Sequence, residues 1–145
     1  MTLYDRDFVL WTEDTMAKLR AGDFAQVDMA HLLEEVDGLG KSQRHAMRSL
    51  WRRLLEHLLK RCCVPFPECY RGWEKEIRNF RNDIEDLLAD SPSLRGTIAE
   101  NLPTVFHKAL ATVQEEYPQI EFPDTWLMTY SIEELLTQPI WEKKA

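Results

Sequence analysis

The sequence lacks any long apolar run, since its uninterrupted hydrophobic stretches extend over only a few residues. A membrane-spanning helix needs about 20 consecutive apolar residues, so we expect no membrane span and no membrane partner. Residues 1 to 20 include Asp5, Asp7, Glu13 and Asp14, and no apolar segment follows a basic start. This pattern predicts that no secretory signal is present and that the protein is cytoplasmic.

The sequence contains few cysteines and fewer basic than acidic residues. The three cysteines are an odd number, which is typical of reduced cytoplasmic thiols and not of a disulfide framework. The formal net charge is -7, whereas proteins that bind nucleic acid or anionic membranes over a wide surface usually carry net positive charge. The composition therefore disfavours nucleic acid as a partner, although a local basic face is compatible with it.

Strand-type alternation, internal repeats and low-complexity tracts are also absent. With 44% hydrophobic and 30% charged residues, the chain of 145 residues is typical of a globular protein with its own core. We therefore predict an all-α fold, a single domain over residues 1–145. It would be a helical bundle of five to six helices with a long central third helix and an irregular C-terminal arm.

The middle of the chain predicts two helices joined by a tight turn. An acidic helix capped by Asp28 is expected to end at Gly38 and Gly40, because glycine favours the left-handed conformation that ends helices. A basic helix is expected to begin at Ser42 and to run to about Cys62, which makes an antiparallel hairpin. The width of its apolar face predicts that this third helix is central: Met47, Leu50, Trp51, Leu54, Leu55, Leu58 and Leu59.

A first helix is predicted over residues 5–21, capped by Asp5 or Asp7 and ended by Gly22. Both N-terminal helices have apolar faces at helical spacing. In the first helix this face is Phe8, Trp11, Thr15 and Leu19, and in the second it is Leu32, Leu33, Val36 and Leu39.

The second half of the chain contains three more predicted helices. A loop over residues 64–71 precedes a fourth helix over residues 73–88, and a fifth helix over residues 94–117 contains Pro103, which predicts a kink or two segments. Ser131 begins a capping box for a short last helix. The fourth helix has a narrow apolar face: Trp73, Ile77, Phe80, Ile84, Leu87 and Leu88. One-turn ion pairs are expected on its other side: Glu74 with Arg78, and Arg81 with Glu85.

Several short motifs, spread over nearly the whole chain, resemble a known family. They are Tyr4-Asp5-Arg6-Asp7-Phe8 with Trp11, Leu33-Glu34-Glu35-Val36, Leu39-Gly40-Lys41-Ser42, His57-Leu58-Leu59-Lys60, Trp73 with Ile77, Asp90-Ser91-Pro92-Ser93-Leu94, Phe122-Pro123 and Trp141. The family is an uncharacterised bacterial group, abundant in cyanobacteria, called domain of unknown function twenty-nine. The resemblance implies a compact, cytoplasmic, all-helical domain and no established activity. The cysteine-containing loop after Lys60 departs from the family pattern.

Glu34, Glu35 and His57 are the candidate catalytic residues. In the predicted hairpin the two carboxylates come level with Arg44, His45 and Arg48. A carboxylate beside a histidine and arginines is suited to acid–base chemistry or to holding an anion. The same opposite charges would equally pin the two helices together, so both interpretations stay open. His57 lies beside an apolar face, either as a general base or as a half-buried histidine with one hydrogen-bond partner.

A metal site is predicted only weakly, because no complete ligand set is present. A di-iron bundle needs Glu-x-x-His motifs, whereas His31 precedes Glu34 in the reversed order. An adjacent cysteine pair is not a usual chelating step for zinc. We therefore expect no metal or other cofactor, and name five residues as the candidates a metal would use: His31, His57, Cys62, Cys63 and Cys69.

Four residues are predicted to have structural or interaction roles. Ser42 would cap the third helix, Arg44 and Arg48 would pair with the acidic helix, and Trp73 would lie in the core. Two further tryptophans are predicted to lock the C-terminal arm in place: Trp126 and Trp141.

The sequence does not establish a function or decide whether the protein is an enzyme. Because it contains no nucleophile–base pair, phosphate loop or complete ligand set, we favour a non-catalytic protein-interaction module. Its partner would be another protein or a second copy, since a wide apolar stripe can exceed what one bundle buries. One alternative is a small enzyme or metal-binding protein that uses Glu34, Glu35 and His57. Another is nucleic-acid binding through the basic faces of helices three and four.

Overall fold

The computed structural model describes residues 1–142, which form six α-helices and no strand. The all-α prediction is therefore confirmed. The chain divides into two compact units, residues 1–42 and residues 43 onward. The helices are α1 (Leu3–Arg6), α2 (Phe8–Arg20), α3 (Met29–Cys63), α4 (Pro67–Asp90), α5 (Leu94–Glu116) and α6 (Ile132–Thr137), with 3₁₀ turns at Phe24–Gln26, Trp126–Thr129 and Ile140–Glu142.

The predicted first helix is two helices, because the backbone of Asp7 is extended, with φ -152° and ψ 92°. The Asp7 side chain accepts a hydrogen bond from the backbone N–H of Leu10 at 3.0 Å and so caps α2, as one of the two predicted caps. Thr2 and Asp5 form a capping box that starts α1. Gly22, with φ 73°, ends this region as predicted.

The predicted hairpin at the glycine pair is wrong, because α3 is one continuous helix of 35 residues. Among the described residues only Gly22 has positive φ, so neither Gly38 nor Gly40 takes the left-handed conformation that would end a helix. A glycine in a helix interior costs only about 0.5–1 kcal/mol relative to alanine, which favourable neighbours can outweigh. Ser42 consequently lies inside α3, exposed, and caps nothing.

The core of the second unit is built on the C-terminal part of α3, which confirms the central position predicted for that segment. Its large apolar side chains are fully buried and pack with residues of α4, α5 and the C-terminal arm. The α3 contribution consists of Met47, Trp51, Leu54, Leu55, Leu58 and Leu59. The predicted face of α4 is likewise turned to this core, with Ile77 and Ile84 buried and Trp73, Phe80, Leu87 and Leu88 partly buried.

Two details of α4 differ from the prediction. Helix α4 begins at Pro67 and not at Trp73, because a proline at the first helical position has a suitable φ and lacks only an N–H that the helix would leave unpaired. The one-turn pairs expected on α4 were wrong, since Glu74 pairs instead with Arg61 of α3 at 3.1 Å.

Helix α5 runs through Pro103 as one helix and not as two segments, while the kink at Pro103 stays a prediction.

The C-terminal arm is held by Arg81 of α4. Its guanidinium donates two hydrogen bonds to the carbonyl of Leu135, at 2.8 and 3.1 Å, and one to the carbonyl of Gln138 at 2.7 Å. The predicted Ser131 capping box is present at the start of α6. Trp141 packs against the core, as predicted, whereas the side chain of Trp126 lies outside the described part of the structure.

Candidate functional site

The most connected group of polar side chains in the first unit surrounds Tyr4. The Tyr4 hydroxyl donates a hydrogen bond to the carboxylate of Glu35, which joins α1 to α3. The Tyr4 ring stacks on the ring of His31, with centroids 4.0 Å apart, and meets the ring of Trp11 edge-on at 5.0 Å. The opening segment of the chain and the acidic segment of α3, both of which carry the family resemblance, are therefore in direct contact.

Asp28 and His31 form the second pair of this group. One Asp28 carboxylate oxygen accepts from the backbone N–H of His31 at 3.3 Å and the other lies 2.6 Å from His31 Nδ1. The predicted capping role of Asp28 at the start of α3 is thereby confirmed. The hydrogen bond to Asp28 raises the pKa of His31, and the same bond lowers the pKa of Asp28.

The electrostatics of this group keep the Tyr4 hydroxyl protonated. Its hydrogen bond to Glu35, followed by desolvation and the negative charge of Glu35, raises the pKa of Tyr4 to about 12. A protonated phenol and the His31 imidazole lie beside carboxylates, which is an arrangement of donors and acceptors already paired with each other. The chemistry that it supports directly is the attachment of α1 to the first turns of α3.

Glu34 and Glu35 were predicted to come level with basic residues across the hairpin, and that hairpin is not formed. Glu34 is exposed, whereas Glu35 is half-buried and bonded to Tyr4. The catalytic role of these residues stays a prediction.

His57 has the ordinary environment of a half-buried histidine. Its Nδ1 lies 2.8 Å from the Arg53 carbonyl oxygen and therefore donates to it, which leaves Nε2 without a proton in the neutral ring. The ring meets the ring of Phe80 edge-on at 5.0 Å. Desolvation lowers the pKa of His57, so its neutral form is favoured.

The basic residues beside the glycine pair have local partners or face solvent. Lys41 pairs with Asp37 at 2.8 Å across the glycines, on the same helix. Arg44 is exposed and Arg48 is half-buried, and the pairing of both with the acidic helix depended on the hairpin. Trp73 is partly buried against the core, as predicted.

The three cysteines are all half-buried and form no disulfide. Burial raises the pKa of Cys62 to about 12 and that of Cys63 to about 11, which keeps both thiols protonated and weakly nucleophilic. Within residues 1–142, no three His, Cys, Asp or Glu side chains come together as a metal site requires.

The first unit also has a large exposed apolar surface, which the sequence analysis missed. Leu33, Val36 and Leu39, predicted to be a core face, are 66%, 57% and 69% exposed. Periodicity identifies the apolar side of a helix but not what covers it, so no signal in the sequence could reveal this exposure. The exposed apolar surface consists of Met1, Phe8, Val9, Leu10, Met16, Leu19, Phe24, Met29, Leu33, Val36 and Leu39.

Comparison with known proteins agrees with the motif resemblance. The family described as domain of unknown function DUF29 matches residues 3–141. The chain belongs to the DUF29 family. No curated protein and no solved structure matches it. The description of DUF29 states no function. Across residues 1–142 of this DUF29 chain, no helix is long and apolar enough to cross a membrane.

Proposed function

We propose that this DUF29 protein is a non-catalytic cytoplasmic interaction module that associates with a second copy of itself through the exposed apolar surface of residues 1–42. The supporting observation is the imbalance between exposed and buried apolar residues in this unit. Of the twelve large hydrophobic residues exposed in the described part of the chain, all except Met128 belong to it. It buries only two hydrophobic residues, Trp11 and Val27.

So small a buried set contributes little hydrophobic stabilisation to this unit, because burial returns only about 25 cal/mol per Å² of apolar surface. Burying the exposed apolar side chains against a partner would add to that stabilisation. A standard interface buries about 800 Å² on each side.

A second copy is the occupant that the row of apolar residues along α3 favours. Leu33, Val36 and Leu39 are exposed and lie at intervals of three residues, which places them along one side of the helix. A two-fold axis would place this apolar row of one copy against the same row of the second copy, which is the self-complementarity that such an interface requires.

The test is the mass of the protein in solution, measured by sedimentation or light scattering from about 1 to about 100 μM, where interfaces of this size associate measurably. We expect a dimer for the wild type. The double variant Val36→Glu/Leu39→Glu should weaken association by at least about 100-fold, because it places four unpaired carboxylates in the interface.

Met128→Glu is the matched control, because Met128 is exposed and apolar but lies in the second unit. It should dimerise like the wild type, and circular dichroism should show equal helix content in all three proteins. A wild type that stays monomeric at about 100 μM, or equal dissociation of the control and the double variant, would refute the proposal.

A further inference from the structure

A cationic cleft lies within the second unit, between α3 and α5. It has a volume of about 260 Å³. Its charged lining consists of Arg48 and Arg52 from α3 and Lys108 from α5, and no carboxylate lines it. Polar donors complete the wall: His45, Ser49, Asn101 and Thr104. Among the described residues, only Arg52 of the three cations has a carboxylate nearby, that of Glu56 at 3.7 Å, so the net positive charge makes this cleft a place where an anion is electrostatically favoured.

Arg52 has a donor that the protein does not use. Its Nε–H is buried and makes no hydrogen bond to any of the described residues. The Glu56 carboxylate, one turn along α3, lies 3.7 Å from this nitrogen, which is too long for a hydrogen bond. The Arg52 side chain is nevertheless 42% exposed, so an anion in the cleft would contact the accessible part of its guanidinium group.

Two basic residues of α3 near the cleft are neutralised by ion pairs. Lys60 pairs with Glu116 at 3.1 Å, and Arg61 pairs with Glu74 at 3.1 Å. Arg48 and Lys108, in contrast, have no ion pair among the described residues. Their charges are therefore available to an anion in the cleft.

The geometry of the donors points to a phosphate group. Guanidinium forks and a lysine ammonium are the residues that proteins use to bind phosphate, and hydroxyls such as those of Ser49 and Thr104 supply donors to its remaining oxygens. The cleft is slightly smaller than ordinary ligand pockets, which start at about 300 Å³. Its size suits a small phosphate monoester better than a nucleoside triphosphate or a nucleic-acid strand.

We propose that the cleft between α3 and α5 binds the phosphate group of a small phosphorylated metabolite, through Arg48, Arg52 and Lys108. This site is independent of the self-association proposed for residues 1–42. The sequence did not predict this cleft, because the α5 residues that line it come next to the arginines only through tertiary packing.

The proposal is tested by calorimetric titration of the full chain at low ionic strength with inorganic phosphate and with glycerol phosphate. Acetate at matched ionic strength serves as the general anion. We expect saturable binding of one phosphate probe per chain and no saturable binding of acetate. Arg52→Gln should weaken phosphate binding by at least about tenfold, because the substitution removes a positive charge and the donors of the guanidinium group.

Lys108→Gln should weaken phosphate binding to a similar extent. Because Lys108 is exposed, this substitution provides a second variant if Arg52→Gln does not fold. Arg53→Gln is the matched control, because Arg53 is the exposed neighbour of Arg52 and does not line the cleft. The control should bind phosphate like the wild type.

Three results would overturn the proposal. They are no saturable binding at millimolar phosphate, equal binding of acetate, and equal loss of affinity in the Arg53→Gln control and the Arg52→Gln variant. If a single-stranded oligonucleotide binds tightly, and if Arg52→Gln and Arg53→Gln weaken that binding equally, the protein has a general basic surface for nucleic acid instead.

Discussion

At the scale of single residues, the two histidines of α3 with hydrogen-bonded rings have opposite electrostatic environments. The Asp28 carboxylate raises the pKa of His31 above its ordinary value of 6.5, whereas desolvation lowers the pKa of His57 below that value. The difference arises because His31 is at a helix start beside an acceptor with negative charge, while His57 is covered by apolar neighbours and bonded to a neutral carbonyl.

We therefore predict that a proton NMR titration separates the two rings, with His31 titrating above 6.5 and His57 below it. Asp28→Asn should move the His31 midpoint down toward 6.5 and leave that of His57 unchanged. If both rings titrate together in the wild type, or if Asp28→Asn moves neither, the described geometry at the start of α3 is wrong.

The same pair defines a pH window for its contribution to stability. Because the pKa of His31 is raised in the folded state, its protonation contributes stability that is fully present below pH 6.5. This contribution is lost as the pH rises through the pKa of His31 in the folded state. Because the pKa of Asp28 is lowered in the folded state, its ionised form contributes stability above pH 3.8, which is lost as the pH falls through the pKa of Asp28 in the folded state. The ion pair therefore stabilises α3 most between these two values.

At the scale of elements, the continuity of α3 through Gly38 and Gly40 is the largest difference between the predicted and the observed helices. Gly38 is helical, and a methyl group added there would meet nothing within 4 Å. Gly22, in contrast, has φ 73° at the end of the α2 region. The two glycines therefore have different roles, although the sequence presents both as helix stops.

We predict that Gly38→Ala stabilises the protein by about 0.5–1 kcal/mol, because alanine loses less backbone entropy in a helix. Urea unfolding at constant protein concentration measures the change. The matched control is Gly22→Ala, which should destabilise by about 1 kcal/mol, since its left-handed backbone is strained for a residue with Cβ. Destabilisation by Gly38→Ala would indicate a turn at this position and would contradict a continuous α3.

At the scale of the whole molecule, the apolar side chains are distributed unevenly between the two units. The second unit has a continuous buried core, whereas the first exposes most of its large hydrophobic residues. A protein of this kind should gain stability by association, and the gain depends on concentration by mass action.

We accordingly predict that the thermal midpoint rises with protein concentration. At a concentration about 100 times the dissociation constant, association adds about 2.7 kcal/mol, which is roughly 5–10 °C for a chain of this length. Scanning calorimetry over a hundredfold concentration range measures it. The Val36→Glu/Leu39→Glu variant should show a constant midpoint, and a constant midpoint for the wild type as well would argue against self-association.

The elements that the sequence predicted correctly are those decided within a few residues. Asp7, Asp28 and Ser131 cap helices because a short side-chain acceptor reaches the N–H groups of the next turn. The apolar period of α4 placed Ile77 and Ile84 in the core for a similar reason, since helical spacing brings such residues onto one face. The all-α class and the DUF29 resemblance follow from the same local patterns.

Other features depended on interactions between distant segments, which local patterns do not contain. The sequence by itself determined the helical class, most caps, the core face of α4 and the family. Only the tertiary structure decided that Gly38 and Gly40 stay helical, that Arg81 binds the C-terminal arm, that residues 1–42 expose their apolar surface, and that Arg52 faces α5. The physical reason is that caps and periodicity act over one or two turns, whereas burial and unsatisfied donors depend on which distant side chains pack together.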